Sequence, residues 1–367
     1  MKPGKARLLT GVACVGTLVS LATTALYFDG PEAVFSNSPS TPAEEFFSFV
    51  IFFAAIVILL FPFDFVGGVL LPAAYESSSP PIVAWLRLWS RSVAVQILFY
   101  SVSFFFYLQF GREVGALWLI VLFSTLQIIL LAGQELIWQI MTANRNDEIS
   151  GTTSFVTHSD QRFVGGIAGL PGFESILIPE GWKVRLQPSD VKILVTRRHA
   201  AVNTGLRLRG IIFAMLWNIS CFAVAIVVSG GVVYSVVDLL CVFLWFLLFS
   251  FIGLIVLPMF NRRGVFALDQ QVATNYSPAE LQQAICNADR ITEQDPDRSA
   301  SAESIFQPIP CPVRRIQAMA DRDRFTAGAW NVARMALFLS WAFGGPLARA
   351  VHCNVGRPEL WAILPTD

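Results

Sequence analysis

The sequence predicts a mainly α, multi-pass helical membrane protein that carries a small composite α+β domain. Of its 367 residues, 54% are apolar and only 14% are charged, whereas soluble domains carry about 25% charged residues. The mean hydropathy is +0.59. Several uncharged runs reach the roughly 20 residues that a helix needs to cross a bilayer. Two long polar segments interrupt these runs and supply the composite domain.

Residues 1–141 contain four apolar runs. They predict transmembrane helices at about 8–28, 46–71, 92–111 and 114–141, the last of which continues through Glu135. The first run follows three basic residues and therefore also resembles a signal peptide. It is long for a signal peptide, and no clear A-x-A cleavage site follows. We therefore predict an uncleaved helix.

The second membrane region, residues 210–258, predicts a helical hairpin. Asp238 is its one charged residue besides the flanking arginines, and Ser229-Gly230-Gly231 offers a turn between helices at about 211–228 and 232–257. A weaker seventh candidate, 330–351, lies in the C-terminal segment 329–367. Gly344-Gly345-Pro346 and two arginines interrupt it. The sequence leaves open whether it spans the membrane or lies at the interface.

The distribution of basic residues predicts the orientation. Segment 142–209 has nine Lys and Arg residues and segment 258–328 has eight, whereas the loops 29–45 and 229–231 have none. The positive-inside rule then places the N-terminus and the polar domain in the cytosol, and we expect a bacterial cytoplasmic membrane. The 26 basic and 26 acidic residues balance and give no indication of nucleic acid. The expected partners are the bilayer and a peptide or membrane protein.

The two polar segments, 142–209 and 259–328, each lack the length for a good core and together predict one domain. Short strands are expected at Thr152–Thr157 and Glu174–Pro179, joined by a Gly-rich piece without a P-loop lysine. Pro188 suits the first position of a helix that continues to about 209. Ser277-Pro278-Ala279-Glu280 predicts a capping box, and a charged helix is expected at 312–325.

The stretch "VTRRHAAVNTG" (195–205) lies on the helix that starts at Pro188. A stripe at 3–4 spacing marks its predicted apolar face: Val191, Val195, His199, Val202 and Leu206. His199 and Asn203 are four residues apart, as the two histidines of H-E-x-x-H are. His199 is a weak metal candidate for that reason, and a histidine packed among valines is the simpler interpretation.

Residues 150–320 resemble the integral-membrane zinc metallopeptidases of the HtpX and CAAX-prenyl-protease type. "FVTHSDQRFVGGIAGLPGFESILIPEGWKV" (155–184) is similar to the family's strand region before its zinc helix. "NRRGVFALDQQVA" (261–273) is similar to R-R-x-E-Y-x-A-D-x-x-A, and "ESIFQPIPCPVRRIQAM" (303–319) to a later H-P-x-x-x-x-R-I stretch. The resemblance implies a composite domain around a transmembrane hairpin.

The family's zinc motif is degenerate here. The resemblance aligns H-E-x-x-H with residues 197–201, so that Arg197 and Arg198 stand at the first histidine and the glutamate. A shift of two residues gives His199 and Asn203 but no base. The family's third ligand, a glutamate, falls on Val265, and only Asp269 matches. Arginine and valine offer zinc no lone pair, so no catalytic residue and no cofactor is expected. A composite metal site from His158, His199, His352, Cys311 and Cys353 has no support in their spacing.

Two interpretations of Arg197 and Arg198 remain. They are positive-inside anchors at the lipid headgroups, or one of them replaces the metal as a fixed cation that pairs with Asp269. Arginine suits the second role because it stays charged and binds carboxylates through two N–H groups.

Asp64, Glu135 and Asp238 lie in or beside the apolar runs. Carboxylates at mid-bilayer are costly and are often functional, although all three fall near predicted helix ends, where the cost is small. A proton or solute pathway that uses these carboxylates is therefore an alternative interpretation.

Three functions follow. The leading prediction is a catalytically inactive, metallopeptidase-like membrane protein that acts by binding, a pseudoenzyme. The alternatives are an active zinc endopeptidase with rearranged ligands, for which the cofactor would be zinc, and a transporter or channel. Partner identity and oligomeric state do not follow from the sequence.

Overall fold

The computed structural model describes most of the chain. The described residues are 3–35, 41–75, 81–143, 146–150, 152–157, 163–291, 303, 306, 309–320 and 328–363. The chain folds as a multi-pass helical membrane protein with a small α+β domain at one end of the helices, as the sequence predicts.

The described residues of the N-terminal membrane region form seven helices. They are α1 (Pro3–Tyr27), α2 (Gly30–Phe35), α3 (Pro42–Phe65), α4 (Leu71–Tyr75), α5 (Ile82–Val114), α6 (Ala116–Ala132) and α7 (Gln134–Thr142). One π-helical turn, Val66–Leu70, joins α3 to α4. Helices α1, α3–α4 and α5 are long and apolar enough to cross a bilayer. Helix α5 begins ten residues before the predicted limit at 92, and the short helix α2 lies in a predicted loop.

The fourth predicted span, 114–141, is not one straight helix. Gly133 separates α6 from α7, and the two axes differ by 62°. The backbone N–H of Gly133 still donates to the carbonyl of Ile129 at 2.8 Å. The chain therefore continues as a bent span, because a glycine permits the change of direction that the apolar pattern does not reveal.

The transmembrane hairpin consists of α10 (Leu206–Val228) and α11 (Val236–Val272). Ser235 caps α11, and Asp238 completes a capping box by accepting the backbone N–H of Ser235 at 2.9 Å. Helix α11 extends fifteen residues beyond the predicted limit at 257, so that its last turns enter the polar domain. One rigid helix thus links the membrane region to that domain.

The polar domain contains a four-stranded sheet in the order β1-β2-β4-β3. Its strands are β1 (Asn146–Ser150), β2 (Thr153–Val156), β3 (Gly166–Ala168) and β4 (Ser175–Pro179). Strand β2 pairs in parallel with β4, and the two outer pairs are antiparallel. The sequence predicts β2 and β4. It misses β1, which is polar, and β3, which lies in the Gly-rich piece.

The helices with described bounds in this domain are α8 (Trp182–Arg185), α9 (Pro188–Asn203), α12 (Pro278–Ile291) and α13 (Pro312–Ala320). The predicted helix from Pro188 to 209 is wrong in its end, because Gly205 adopts φ 72° and starts α10 in a new direction. The capping box before α12 forms, with the N–H of Ser277 3.0 Å from Glu280 Oε2. Leucine, isoleucine and alanine side chains of α9, α11, α12 and β4 share one core.

The C-terminal lobe, residues 328–363, lies inside the helical bundle. It forms a helix, α14 (Val332–Leu339), a 3-10 turn (Ser340–Phe343) and short turns after it. Every residue from Ala329 to Val351 is buried. The ring of Phe343 lies 4.7 Å from that of Phe104 in α5 and 4.7 Å from that of Phe222 in α10. The predicted seventh helix, 330–351, is therefore a packed insert rather than a continuous spanning helix, because Gly344-Gly345-Pro346 ends the helical segment.

Candidate functional site

One face of α9 turns inward and carries two arginines. The buried residues of this helix are Asp190, Ile193, Leu194, Arg197, Arg198 and Ala201. They follow the 3–4 spacing of a single helix face. The predicted apolar stripe is therefore wrong as the buried face, since Val191, Val195, His199 and Val202 are only half-buried. The hydrophobic pattern misleads here because two of the inward side chains are charged.

Arg197 forms an ion pair with Asp269 of α11. Its Nη2 lies 2.7 Å and its Nε 3.0 Å from Asp269 Oδ1. Neither residue has exposed surface. Arg197 therefore pairs with Asp269 and joins the two polar segments, and neither Arg197 nor Arg198 has the exposed surface that a headgroup anchor needs.

Arg315 of α13 binds the same carboxylate. Its Nε donates to Asp269 Oδ2 at 2.8 Å and its Nη2 donates to Oδ1 at 2.9 Å, a bidentate arrangement. Asp269 therefore joins α9, α11 and α13. Arg315 was missed as a site residue, although it is the arginine of the R-I pair in the stretch that resembles the family's H-P-x-x-x-x-R-I.

Arg198 is held by backbone oxygens rather than by a carboxylate. Its Nη1 donates to the carbonyl of Leu177 in β4 at 2.6 Å, and its Nη2 donates to the carbonyl of Val164. Its Cζ lies 4.9 Å from the ring centre of Trp182. These contacts attach α9 to the sheet. A guanidinium in this position is a donor only, and cannot activate water as a general base.

A second buried carboxylate, Glu303, binds residues of α11 and α13. It accepts from the backbone N–H of Cys311 and from Arg314 Nη1. Arg262 Nη2 is 3.5 Å from its Oε2. Its side chain has no exposed surface. Glu303 thus connects the chain before α13 to α11. It is the first residue of the family-like stretch 303–319, but it was not predicted as a site residue.

The remaining degenerate positions do not form a ligand set. His199 Nε2 lies 3.2 Å from Thr153 Oγ1, Asn203 is exposed, and Val265 is buried in the apolar core. His158 lies outside the described residues. Among the residues that the structure describes, no three His, Cys, Asp or Glu side chains are grouped closely enough to hold a metal ion.

Asp64 lies in a buried ion pair at the end of α3. Arg349 of the C-terminal lobe donates to its Oδ2 from Nε at 2.7 Å and also from Nη2. Trp89 Nε1 donates to the same oxygen at 3.0 Å, and the N–H of Gly356 donates to Oδ1 at 2.9 Å. Asp64 therefore attaches the C-terminal lobe to the bundle.

Glu135 and Asp238 lie apart from Asp64 and from each other. Glu135 accepts from Gln139 at 3.2 Å within α7. Asp238 accepts the backbone N–H groups of Tyr234 and Ser235 at the start of α11. Each of the three carboxylates contacts a different element. These contacts do not join the three carboxylates into one pathway.

Neither a protein-family model nor a curated protein matches the sequence. Among solved structures, the chain is similar to a crystal structure of S. mikatae Ste24p, with a TM-score of 0.68 and 10% sequence identity. The superposition covers 83% of this chain and 84% of that chain. At this identity the likeness shows a shared fold, and it extends over the membrane helices as well as the polar domain.

Proposed function

We propose that this protein is a catalytically inactive relative of the membrane zinc metallopeptidases, which acts by binding a peptide or membrane-protein partner. The fold similarity to Ste24p and the resemblance of residues 150–320 to the CAAX-prenyl-protease type support the peptidase-like architecture. The basic loops support a cytosolic polar domain and N-terminus in a bacterial cytoplasmic membrane.

The observation that carries the proposal is the ion pair between Arg197 and Asp269. A zinc peptidase needs three ligands with lone pairs and a base that activates water. Here Arg197 stands at the aligned first ligand, and its guanidinium, with that of Arg315, occupies the Asp269 carboxylate. Arg198 stands at the aligned glutamate and binds two carbonyl oxygens. These ion pairs and hydrogen bonds connect the elements of the domain, and the arginines supply neither a metal ligand nor a general base for hydrolysis.

The binding surface that we propose is the free edge of the sheet. Among the described strands, β1 pairs only with β2, so its second edge has no strand partner. An extended peptide adds to such an edge through main-chain hydrogen bonds. The opposite edge strand, β3, is buried at all three residues and is not accessible to a peptide. The proposal therefore commits to β1.

The two alternatives have less support. A working peptidase with rearranged ligands needs His199 among other metal ligands. The described polar contact of His199 is the hydroxyl of Thr153 instead. A transporter needs carboxylates along a shared path, and Asp64 is instead neutralised by Arg349.

Site-specific photo-crosslinking tests the proposal. A benzoylphenylalanine at position 149 in β1 is compared with one at position 184, since Val184 is 88% exposed on α8. We expect capture of a defined partner segment from position 149 only, and competition by a synthetic peptide of that segment. Equal capture at both positions, or chelator-sensitive hydrolysis of a peptide by the purified protein, would contradict the proposal.

A further inference from the structure

An apolar cavity of about 350 Å³ lies between α1, α11 and the C-terminal lobe. Its walls include Val12 and Gly16 of α1, Ile255 and Pro258 of α11, and Arg334 and His352 of the lobe. The volume lies at the lower end of the roughly 300–1,000 Å³ of small-molecule pockets. It suits one extended chain better than a bulky molecule.

The cavity opens toward the lipid-facing surface of the bundle. Val12 and Ile255, which lie in its walls on two different helices, are 42% and 46% exposed. Both helices are long and apolar enough to cross the bilayer. A hydrocarbon chain of a surrounding lipid therefore reaches the cavity without passing through water.

The depth of the cavity in the membrane follows from α11. Pro258 in the wall precedes Asp269 of the polar domain by eleven residues, which at about 1.5 Å per residue is some 16 Å along the helix. The cavity thus lies in the half of the bilayer next to the polar domain. Lipid headgroups of that leaflet are within reach of its rim.

The polar groups in the walls are basic. Arg334 is 5% exposed and His352 is half-buried, and the wall residues that the structure describes include no carboxylate. An arginine suits a phosphate group because its N–H groups match the phosphate oxygens. Charge complementarity therefore favours an anionic headgroup over a zwitterionic one.

We infer that this cavity binds one acyl chain of an anionic phospholipid, whose phosphate lies toward Arg334. The inference is independent of the proposed peptide binding, since the cavity shares no residue with β1 or with the Arg197–Asp269 pair.

Photolabelling in vesicles tests the acyl-chain site. The full-length protein is reconstituted with phosphatidylglycerol that carries a diazirine in one chain, and labelled peptides are mapped by mass spectrometry. We expect labels within 11–16, 251–258 and 333–337. Gly16 lies in the wall, and a Cβ on it meets no atom within 4 Å. Gly16→Leu thus adds a side chain at the cavity wall without a backbone clash and should reduce this labelling about tenfold.

Ala13→Leu is the matched control. Ala13 lies one turn earlier on α1, is exposed, and does not line the cavity. This variant should label as the unmodified protein does. Uniform labelling along α1, equal loss in both variants, or labelling by a diazirine fatty acid but not by the phospholipid would overturn the inference.

The headgroup is tested with a second pair of variants. Labelling by phosphatidylglycerol should exceed labelling by phosphatidylcholine, Arg334→Gln should abolish the difference, and Arg334→Lys should restore it. Thermal unfolding of each variant identifies any that does not fold, and the comparison of the two lipids in the unmodified protein stands without them. Equal labelling by both lipids would overturn the anionic assignment.

Discussion

The guanidinium of Arg197 lies 2.7 Å from the carboxylate of Asp269, although the two residues are 72 positions apart in the chain. Most of the transmembrane hairpin lies between them in sequence. The ion pair therefore connects the two polar segments within the polar domain. Arg315 adds a second guanidinium to the same carboxylate. Arg197 and Asp269 of this cluster occupy positions that the resemblance aligns with the zinc-site motifs of the peptidase family.

Replacement of Asp269 should destabilise the protein more than replacement of Arg197. Asp269→Asn removes the carboxylate that the buried Arg197 and Arg315 share, whereas Arg197→Met leaves the bidentate pair of Arg315 with Asp269. Loss of one partner of a buried pair costs about 3–5 kcal/mol. Thermal unfolding in detergent should therefore rank the unmodified protein above Arg197→Met and Arg197→Met above Asp269→Asn. The reverse order would show that Arg315 does not hold the carboxylate.

Asp64→Asn should also destabilise the fold, because it leaves Arg349 buried against a neutral group. We expect a cost of about 3–5 kcal/mol. Glu135→Gln is the control, since Glu135 is half-buried and contacts Gln139 of its own helix. The measurement is denaturant unfolding in matched micelles. Equal stability of both variants, together with loss of proton flux in vesicles for Asp64→Asn alone, would favour the transporter alternative.

A methyl group at Gly210 should disturb the docking of the C-terminal lobe. A Cβ there would overlap the carbonyl oxygen of Trp330, and overpacking of this kind costs about 1–3 kcal/mol. Gly16→Ala is the matched change, because a Cβ at Gly16 meets open space and alanine is the better helix former. Limited proteolysis should cut the lobe faster in Gly210→Ala and not in Gly16→Ala. Equal cleavage rates would contradict the buried lobe.

The capping box before α12 should make stability depend on pH. Hydrogen bonds from the Ser277 side chain and backbone lower the pKa of Glu280. A carboxyl with a lowered pKa stabilises the fold above its ordinary pKa of about 4.3, and the contribution is lost as the pH falls through the lowered value. Ser277→Ala should therefore unfold at a lower temperature than the unmodified protein near neutral pH. The difference should diminish in acid, and a difference that grows in acid would exclude this cause.

The membrane architecture followed from the sequence because length and hydropathy determine which segments can cross a bilayer. The bend at Gly133 did not, since a glycine inside an apolar run is compatible with a straight helix. The C-terminal lobe also escaped prediction. Its apolar residues are buried by neighbouring helices rather than by lipid, and composition does not distinguish the two environments.

Only part of the candidate site was predictable from the sequence. The pairing of Arg197 with Asp269 could be anticipated from the aligned motifs. Arg197 aligns with the first histidine of H-E-x-x-H, and Asp269 matches the aspartate of R-R-x-E-Y-x-A-D-x-x-A. The buried face of α9 could not be found from hydrophobic periodicity, since its arginines count as polar. Arg315 and Glu303 required the tertiary structure, which brings separate segments together.

Metal analysis of the purified, full-length protein tests the central claim most directly. The positive control is a variant in which the aligned motif is rebuilt by Arg197→His, Arg198→Glu, Ala201→His and Val265→Glu. A tetrahedral site of this kind should take up about one zinc ion per chain if the rebuilt protein folds. The unmodified protein should contain far less than one zinc ion per chain, with no change on His199→Ala. About one zinc ion per unmodified chain, lost on His199→Ala, would contradict the account.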